Sequence, residues 1–217
     1  MIKNIKAAIF DMDGTIVDSM WVWDEIDFEY LAKHNAVAPP ALKHDIAHLS
    51  FDEVALYFKN AFNLPYTTDE IQQHWNEMAY DKYCNKVKLK PGIRPFLELL
   101  KARGIKIALA TSNNSLLLEA CLKANDIYDY FDVITLTGEV SRGKDFPDVY
   151  LLTAEKLQVN PCDCIVFEDI LPAIKGAKMA GMTVVGVYDE YSKPYHEDIK
   201  IHADNFIIEY DEIETAV

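Results

Sequence analysis

The chain has 217 residues, half of them hydrophobic, with 21 Lys and Arg against 35 Asp and Glu and a formal net charge of −14. That length serves one large domain or two unequal lobes and is long enough to bury about 70% of its unfolded surface, while the charge opposes binding to nucleic acid or to an anionic membrane. No run approaches the roughly 18 apolar residues of a membrane span, and the segment up to Phe10 is too short and too quickly acidic for a signal peptide, so a cytoplasmic protein is expected. Of Cys84, Cys121, Cys162 and Cys164 only the last two are close, without a second pair or a His at zinc spacing, and they read as reduced structural thiols. The six histidines are scattered and give no metal-ligand spacing.

Ala7 to Phe10 form a short continuous apolar run, which suits a strand buried on both faces of a parallel sheet. It stops at Asp11-Met12-Asp13-Gly14-Thr15. Two ionised carboxylates ~4 Å apart at an effective dielectric near ~20 repel by roughly 4 kcal/mol, and a divalent cation offsets that economically. Oxygen-only ligation favours Mg²⁺, a hard ion that combines one or two carboxylates with waters and substrate phosphate. Gly14 permits a tight turn and Thr15 adds a hydroxyl. Taken alone, the tetrapeptide also reads as an Asx turn, so the other strand ends decide.

Beyond Asp18 the pattern becomes helical. Met20 to His34 carries Trp21, Ile26, Phe28 and Leu31, with Asp18 or Ser19 placed to cap it. Pro39-Pro40 interrupts, and two capping boxes follow, Ser50-Phe51-Asp52-Glu53 before a helix towards Phe62 and Thr67-Thr68-Asp69-Glu70 before one through Ile71, Trp75 and Tyr80. Residues 18–88 therefore read as an all-helical insert, a lid or cap, between a core formed by 1–17 and 89–217. Lys90-Pro91-Gly92 marks the return, with a helix from Ile93 to Arg103 ended by Gly104.

Strands and helices then alternate: Ile105 to Ala110 a strand, Leu116 to Ala124 a helix, Phe131 to Leu136 a strand, and Pro147 to Leu157 a helix. A third strand, Cys164 to Phe167, precedes a helix from Ile170 to Ala180; Met182 to Val187 and Asn205 to Ile208 complete the set. This alternation predicts a doubly wound α/β fold, a Rossmann-like parallel sheet with right-handed crossovers.

In such sheets ligands bind at the carboxyl ends of the strands. The first strand ends in Asp11 and Asp13. The Ile105 strand ends in Thr111-Ser112-Asn113-Asn114, hydroxyls and amides before a helix whose free N–H groups suit an anion, although a Ser/Asn turn also serves simply as a cap. After the Phe131 strand comes Lys144, shortly before a helix, where an ammonium can meet phosphate; a solvated loop lysine is the plainer reading. The Cys164 strand ends in Glu168-Asp169, a second acid pair.

With acids, hydroxyl, lysine and acids at four successive strand ends, the chain resembles the haloacid dehalogenase superfamily, in the branch of β-phosphoglucomutase-like phosphatases with a helical cap after the first strand. Asp11 to Thr15 is similar to the family's nucleophile motif, Thr111 to its Ser/Thr motif, Lys144 to its lysine and Glu168-Asp169 to its second acidic motif. The resemblance implies that Asp11 attacks phosphorus to form an aspartyl-phosphate and that Asp13 serves as general acid and then base. It also implies Mg²⁺ held by Asp11, the Asp13 main-chain carbonyl and Asp169 with help from Glu168, and phosphate oxygens held by Thr111, Ser112, Asn113 and Lys144. The substrate would be a small phosphorylated metabolite, and a monomer is the favoured state.

Two departures stand out. Many relatives follow the second acid pair with Ser and, three residues later, Gly, where this chain has Ile170 and Ala173. Mutase-like relatives carry an arginine for a second phosphate in the cap, where His48-Leu49-Ser50-Phe51 aligns here; Phe51 cannot pair with phosphate, which favours hydrolase over mutase. Trp21, Trp23 and Phe51 are candidates for an apolar substrate face, with core or cap packing the plainer reading for each. The alternatives are a β-phosphoglucomutase-type enzyme, a metal-independent dehalogenase, and a binding module that has lost its chemistry.

Overall fold

The computed structural model describes residues 5–46 and 51–214. Its elements in chain order begin with β1 (Ala7–Phe10) and β2 (Val17–Asp18), followed by α1 (Trp21–Lys33), α2 (Leu42–Ile46), α3 (Phe51–Ala61) and α4 (Thr68–Asn85). Next come β3 (Lys88–Leu89), α5 (Ile93–Ala102), β4 (Lys106–Thr111), α6 (Ser115–Ala124), β5 (Val133–Leu136) and α7 (Asp148–Leu157). The chain closes with β6 (Cys164–Glu168), α8 (Leu171–Met179), β7 (Thr183–Val187), α9 (His196–His202), β8 (Asn205–Ile207) and α10 (Asp211–Glu214). Two compact units result, one of Met1–Ser19 with Val87–Val217 and one of Met20–Lys86.

The first unit holds a six-stranded sheet in the order β5-β4-β1-β6-β7-β8, and every pairing in it is parallel. Side chains alternate between its faces. Ala7 and Ile9 with Ala108, Ala110, Cys164 and Val166 meet Val149, Tyr150 and Ala154 of α7 and Ile174 and Ala177 of α8. The residues between them face the other way: Phe10 stacks on Phe167 at 4.7 Å, and both rings pack against Phe96 of α5 and Tyr210. With both faces covered, β1, β4 and β6 are buried almost throughout, which is why their sequences run apolar without alternation. The doubly wound parallel sheet expected from the βα alternation is the fold.

Strand order places β1 centrally, with connections leaving it towards β4 and β5 on one side and β6 to β8 on the other, so β1 lies at the topological switch. Register aligns Phe10 with Leu109 and with Phe167. Thr111 and Glu168 are the last residues of β4 and β6 rather than the first beyond them, because Leu136 and Gly186 are there to pair with them. The parallel strands β1, β4 and β6 thus deliver their polar ends to one edge.

The second unit is helical. Trp75 of α4 is its central ring, 4.9 Å from Phe58, 5.6 Å from Phe51 and 5.8 Å from Tyr30. Trp23 meets Phe51 edge-on at 5.7 Å, and Trp21 lies under the Lys82 ammonium at 5.9 Å, so these aromatics pack within the helices. The capping box at Thr67 and Glu70 is formed on both sides. Ser50 of the other box and His48 to Ser50 of the cap alignment lie outside the described residues.

Three local features depart from the sequence reading. Neither Asp18 nor Ser19 caps α1: Met20 occupies the cap position without a side-chain bond, Asp18 belongs to β2, and the buried Ser19 hydroxyl goes to Asp13. Asp18 pairs with Lys88 in a two-residue antiparallel ribbon, so both leave the helical stretch. The short helices α2, α9 and α10 were not anticipated, being too brief to show a 3.6-residue period.

Phe167→Ala should lower the unfolding free energy by about 3–5 kcal/mol, since the ring is fully buried among three aromatic neighbours; urea denaturation followed by fluorescence measures it.

Candidate active site

The carboxyl ends of β1 and β6 bring three buried acids together. Asp11, Glu168 and Asp169 each offer an oxygen within 4.8 Å of the others. Asp11 follows β1 directly, and its main-chain N–H continues the ladder to Phe167 O at 3.0 Å. Three ionised carboxylates in a dry site demand compensation, and one part of it is Lys144. Its ammonium lies 2.6 Å from Asp11 Oδ1 and also contacts Glu168 Oε1. The lysine is 8% exposed, so it is a buried countercharge rather than a solvated loop residue.

Each acid is held by a different set of donors. Glu168 Oε1 accepts the Tyr150 hydroxyl at 3.1 Å, and its Oε2 accepts the Asp169 N–H at 3.2 Å. Asp169 Oδ1 accepts the Thr15 hydroxyl at 2.9 Å, and the Thr15 carbonyl in turn accepts from Tyr210 at 3.2 Å. Asp13 sits apart from the cluster: one of its oxygens accepts from Ser19 at 2.6 Å and the other from the Asn113 amide at 2.8 Å.

Burial, the largest influence, pushes Asp11 up to about 7, with Glu168 and Asp13 adding to it against the pull of Lys144. Asp169 is raised well above the usual carboxylate range by burial and by Asp11 and Glu168, opposed by the Thr15 bond. Lys144 is itself raised: burial alone would lower it, but the charges of Asp11 and Glu168 outweigh that. Tyr150 is likewise raised by burial and by Glu168, so its hydroxyl stays a donor.

Two glycines make the geometry possible. Gly14, at φ +81°, turns the chain after Asp13, and a Cβ there would run into the Asp169 carboxylate. Gly176 of α8 lets the Lys144 loop rest on the helix, because a Cβ would collide with the Lys144 carbonyl oxygen.

Of the residues singled out in the sequence, Asp11, Lys144, Glu168 and Asp169 meet directly. Thr111 is buried at the end of β4, and its Oγ1 accepts the Asn113 N–H at 3.1 Å. Ser112 is exposed. The Asn113 side chain is committed to Asp13, and Asn114 caps α6 through the Leu117 N–H. Ile170 leaves the start of α8 without a side-chain cap. Sequence reading missed Ser19, Tyr150 and Tyr210. Tyr150 carried one signal: it is a hydroxyl on the buried face of α7, between Val149 and Ala154, and a buried hydroxyl needs a partner.

The donor set is all oxygen, clustered, and carries more negative charge than Lys144 neutralises, so it fits a hard divalent cation. Fold and cluster define the class: α/β proteins with a carboxylate-lined site at the switch point of a parallel sheet. The chain belongs to the haloacid dehalogenase-like hydrolase family, whose model matches residues 5–181. It is 30% identical to the phosphorylated carbohydrates phosphatase of Thermotoga maritima, covering 82% of each chain. It is 31% identical to the β-phosphoglucomutase of Bacillus subtilis, over 84% of this chain and 83% of that one. It spans about half (49%) of the length of another relative, the bifunctional riboflavin kinase/FMN phosphatase of Arabidopsis thaliana, at 29% identity over 85% of this chain. In fold it matches CbbY of Rhodobacter sphaeroides, solved with phosphate, at a TM-score of 0.78 and 24% identity, covering 94% of this chain and 93% of that one. Among the described residues no helix is long and apolar enough to cross a membrane.

The Asp11 shift predicts an inverted pH dependence. In the folded protein the group titrates at about 7, against about 3.9 unfolded, so between these values the folded state holds the extra proton. Its contribution to stability is full below about 4 and is lost as pH rises through about 7. With chelator present, the melting temperature of Asp11→Asn should therefore gain on that of the wild type between pH 5 and pH 8. A constant difference across that range would contradict the shift.

Proposed function

We propose that the protein is a Mg²⁺-dependent phosphatase that hydrolyses a small phosphate monoester, such as a sugar phosphate, through an aspartyl-phosphate on Asp11. The observation that carries it is the meeting of Asp11, Lys144, Glu168 and Asp169 at the carboxyl ends of β1 and β6, within a family of hydrolases. Asp11 is the nucleophile: one of its oxygens bonds to phosphorus in line as the P–O bond to the leaving group breaks. Asp13 gives the leaving oxygen a proton, then takes one from the water that attacks the phospho-aspartate and frees inorganic phosphate.

Ser19 and Asn113 hold the Asp13 carboxylate in place for both transfers. Lys144 and the Thr111 to Asn113 turn hold phosphate oxygens. Asp11, Asp169, the Asp13 main-chain carbonyl and Glu168 are the residues that would hold Mg²⁺. The ion, when bound, supplies positive charge that screens the phosphate from an anionic nucleophile. The helical unit is assigned the role of cap, selecting the leaving group. A cytoplasmic, monomeric enzyme acting on a soluble metabolite completes the reading.

A second reading, a sugar-phosphate mutase, is favoured by the likeness to β-phosphoglucomutase. It would share the phospho-aspartate and return the phosphoryl group to a sugar. Phe51, at the start of α3 and packed on Trp23 and Trp75, supplies no cation for a second phosphate, which is why hydrolysis is preferred.

The test is inorganic phosphate release from sugar phosphates, nucleotides and small phosphorylated metabolites, with and without Mg²⁺. Turnover should require the metal, and Asp11→Asn should lower kcat on the order of 10⁴-fold or more. Conversion of a sugar phosphate that appears only with a bisphosphate primer would favour the mutase; near-normal turnover by Asp11→Asn would refute both.

A further inference from the structure

Glu168 is fully buried, and each of its oxygens accepts a hydrogen bond from within the protein. Oε2 accepts the Asp169 N–H, while Oε1 is shared between the Lys144 ammonium and the hydroxyl of Tyr150, 3.1 Å away. Tyr150 is 1% exposed and stands on α7, the helix that follows the Lys144 loop. Lys144 meanwhile reaches Asp11 at 2.6 Å. One ammonium therefore serves two carboxylates from different strands, and the better each acid is satisfied by other donors, the less it draws on the shared cation.

We propose that Tyr150 is a positioning residue for Lys144: by donating to Glu168 Oε1, its hydroxyl leaves the ammonium free to stay beside Asp11, where a phosphate oxygen is to be held. This rests on the phosphoryl-transfer reading of the site. Without the hydroxyl, Glu168 Oε1 keeps Lys144 as its one remaining side-chain donor among the described residues, and a buried carboxylate short of a donor pulls the cation towards itself. The effect is transmitted through Glu168, since Tyr150 itself touches neither nucleophile nor substrate in this arrangement.

The experiment uses inorganic phosphate as the probe, titrated calorimetrically into the full chain in the presence of magnesium chloride. Tyr150→Phe should weaken phosphate binding roughly three- to tenfold. Thr153→Val removes another buried hydroxyl from the same helix, one that bonds only its own turn at Val149 O, and should leave phosphate binding within about twofold of the wild type. Thermal unfolding of Tyr150→Phe, Lys144→Met and the double variant, without metal or phosphate, should be non-additive because both side chains act on one carboxylate oxygen. Unchanged phosphate affinity in Tyr150→Phe, or strict additivity in unfolding, would overturn the assignment. If the wild type fails to bind phosphate, the phosphoryl-transfer reading falls, while the unfolding cycle still decides whether Tyr150 and Lys144 are coupled.

Discussion

Everything at the carboxyl edge of the sheet depends on one buried ammonium shared between two strands. Lys144 joins Asp11 after β1 to Glu168 at the end of β6, and without it the interior would hold three carboxylates and no cation within contact among the described residues. Removing one partner of a buried ion pair costs far more than the pair's net worth, because the other charge is left stranded. The surroundings follow from that constraint. Thr15 and Tyr150 donate to the acids Lys144 cannot fully satisfy, and Gly176 clears the space in which its loop lies.

The sheet supplies the precision. Parallel pairing sets Phe10 level with Phe167, so the residues that follow, Asp11 and Glu168, emerge side by side. Beneath them the stack of Phe10, Phe167, Phe96 and Tyr210 is close-packed, and Tyr210 extends upward to the Thr15 carbonyl. An aromatic layer thus forms the floor on which the acids stand, which keeps water away and accounts for the upward pull of burial on Asp11 and Asp169.

The parts of this arrangement that were legible in the sequence are those where polarity breaks a run. Asp11, Glu168 and Asp169 stand at the ends of apolar strands, and Lys144 lies in the loop between one strand and the next helix, so position along the chain announces them. What stayed hidden needed strand order. That the Asn113 amide meets Asp13 shows only when β4 is placed beside β1. Ser19 reads as a helix cap because Ser often is one, yet α1 begins a residue later with Met20 at the cap position, and the Ser19 hydroxyl donates to the Asp13 carboxylate. Gly176 reads only as a poor helix former, since the backbone it makes room for belongs to a loop some thirty residues earlier.

The charge balance also orders the events at the site. A phosphate monoester arriving at Asp11 brings negative charge to a cluster where three acids face one ammonium, and at short range such repulsion costs roughly 4 kcal/mol per pair even at an effective dielectric near ~20. The site can accept that anion only when the acids are protonated or a cation is present. On the proposed mechanism Asp11 is the nucleophile, and its protonation would stop turnover. A divalent cation satisfies the acids and leaves Asp11 ionised. Metal and phosphate should therefore bind with positive coupling, each making room for the other, and that coupling is a property of three buried carboxylates and one lysine rather than of the identity of the substrate.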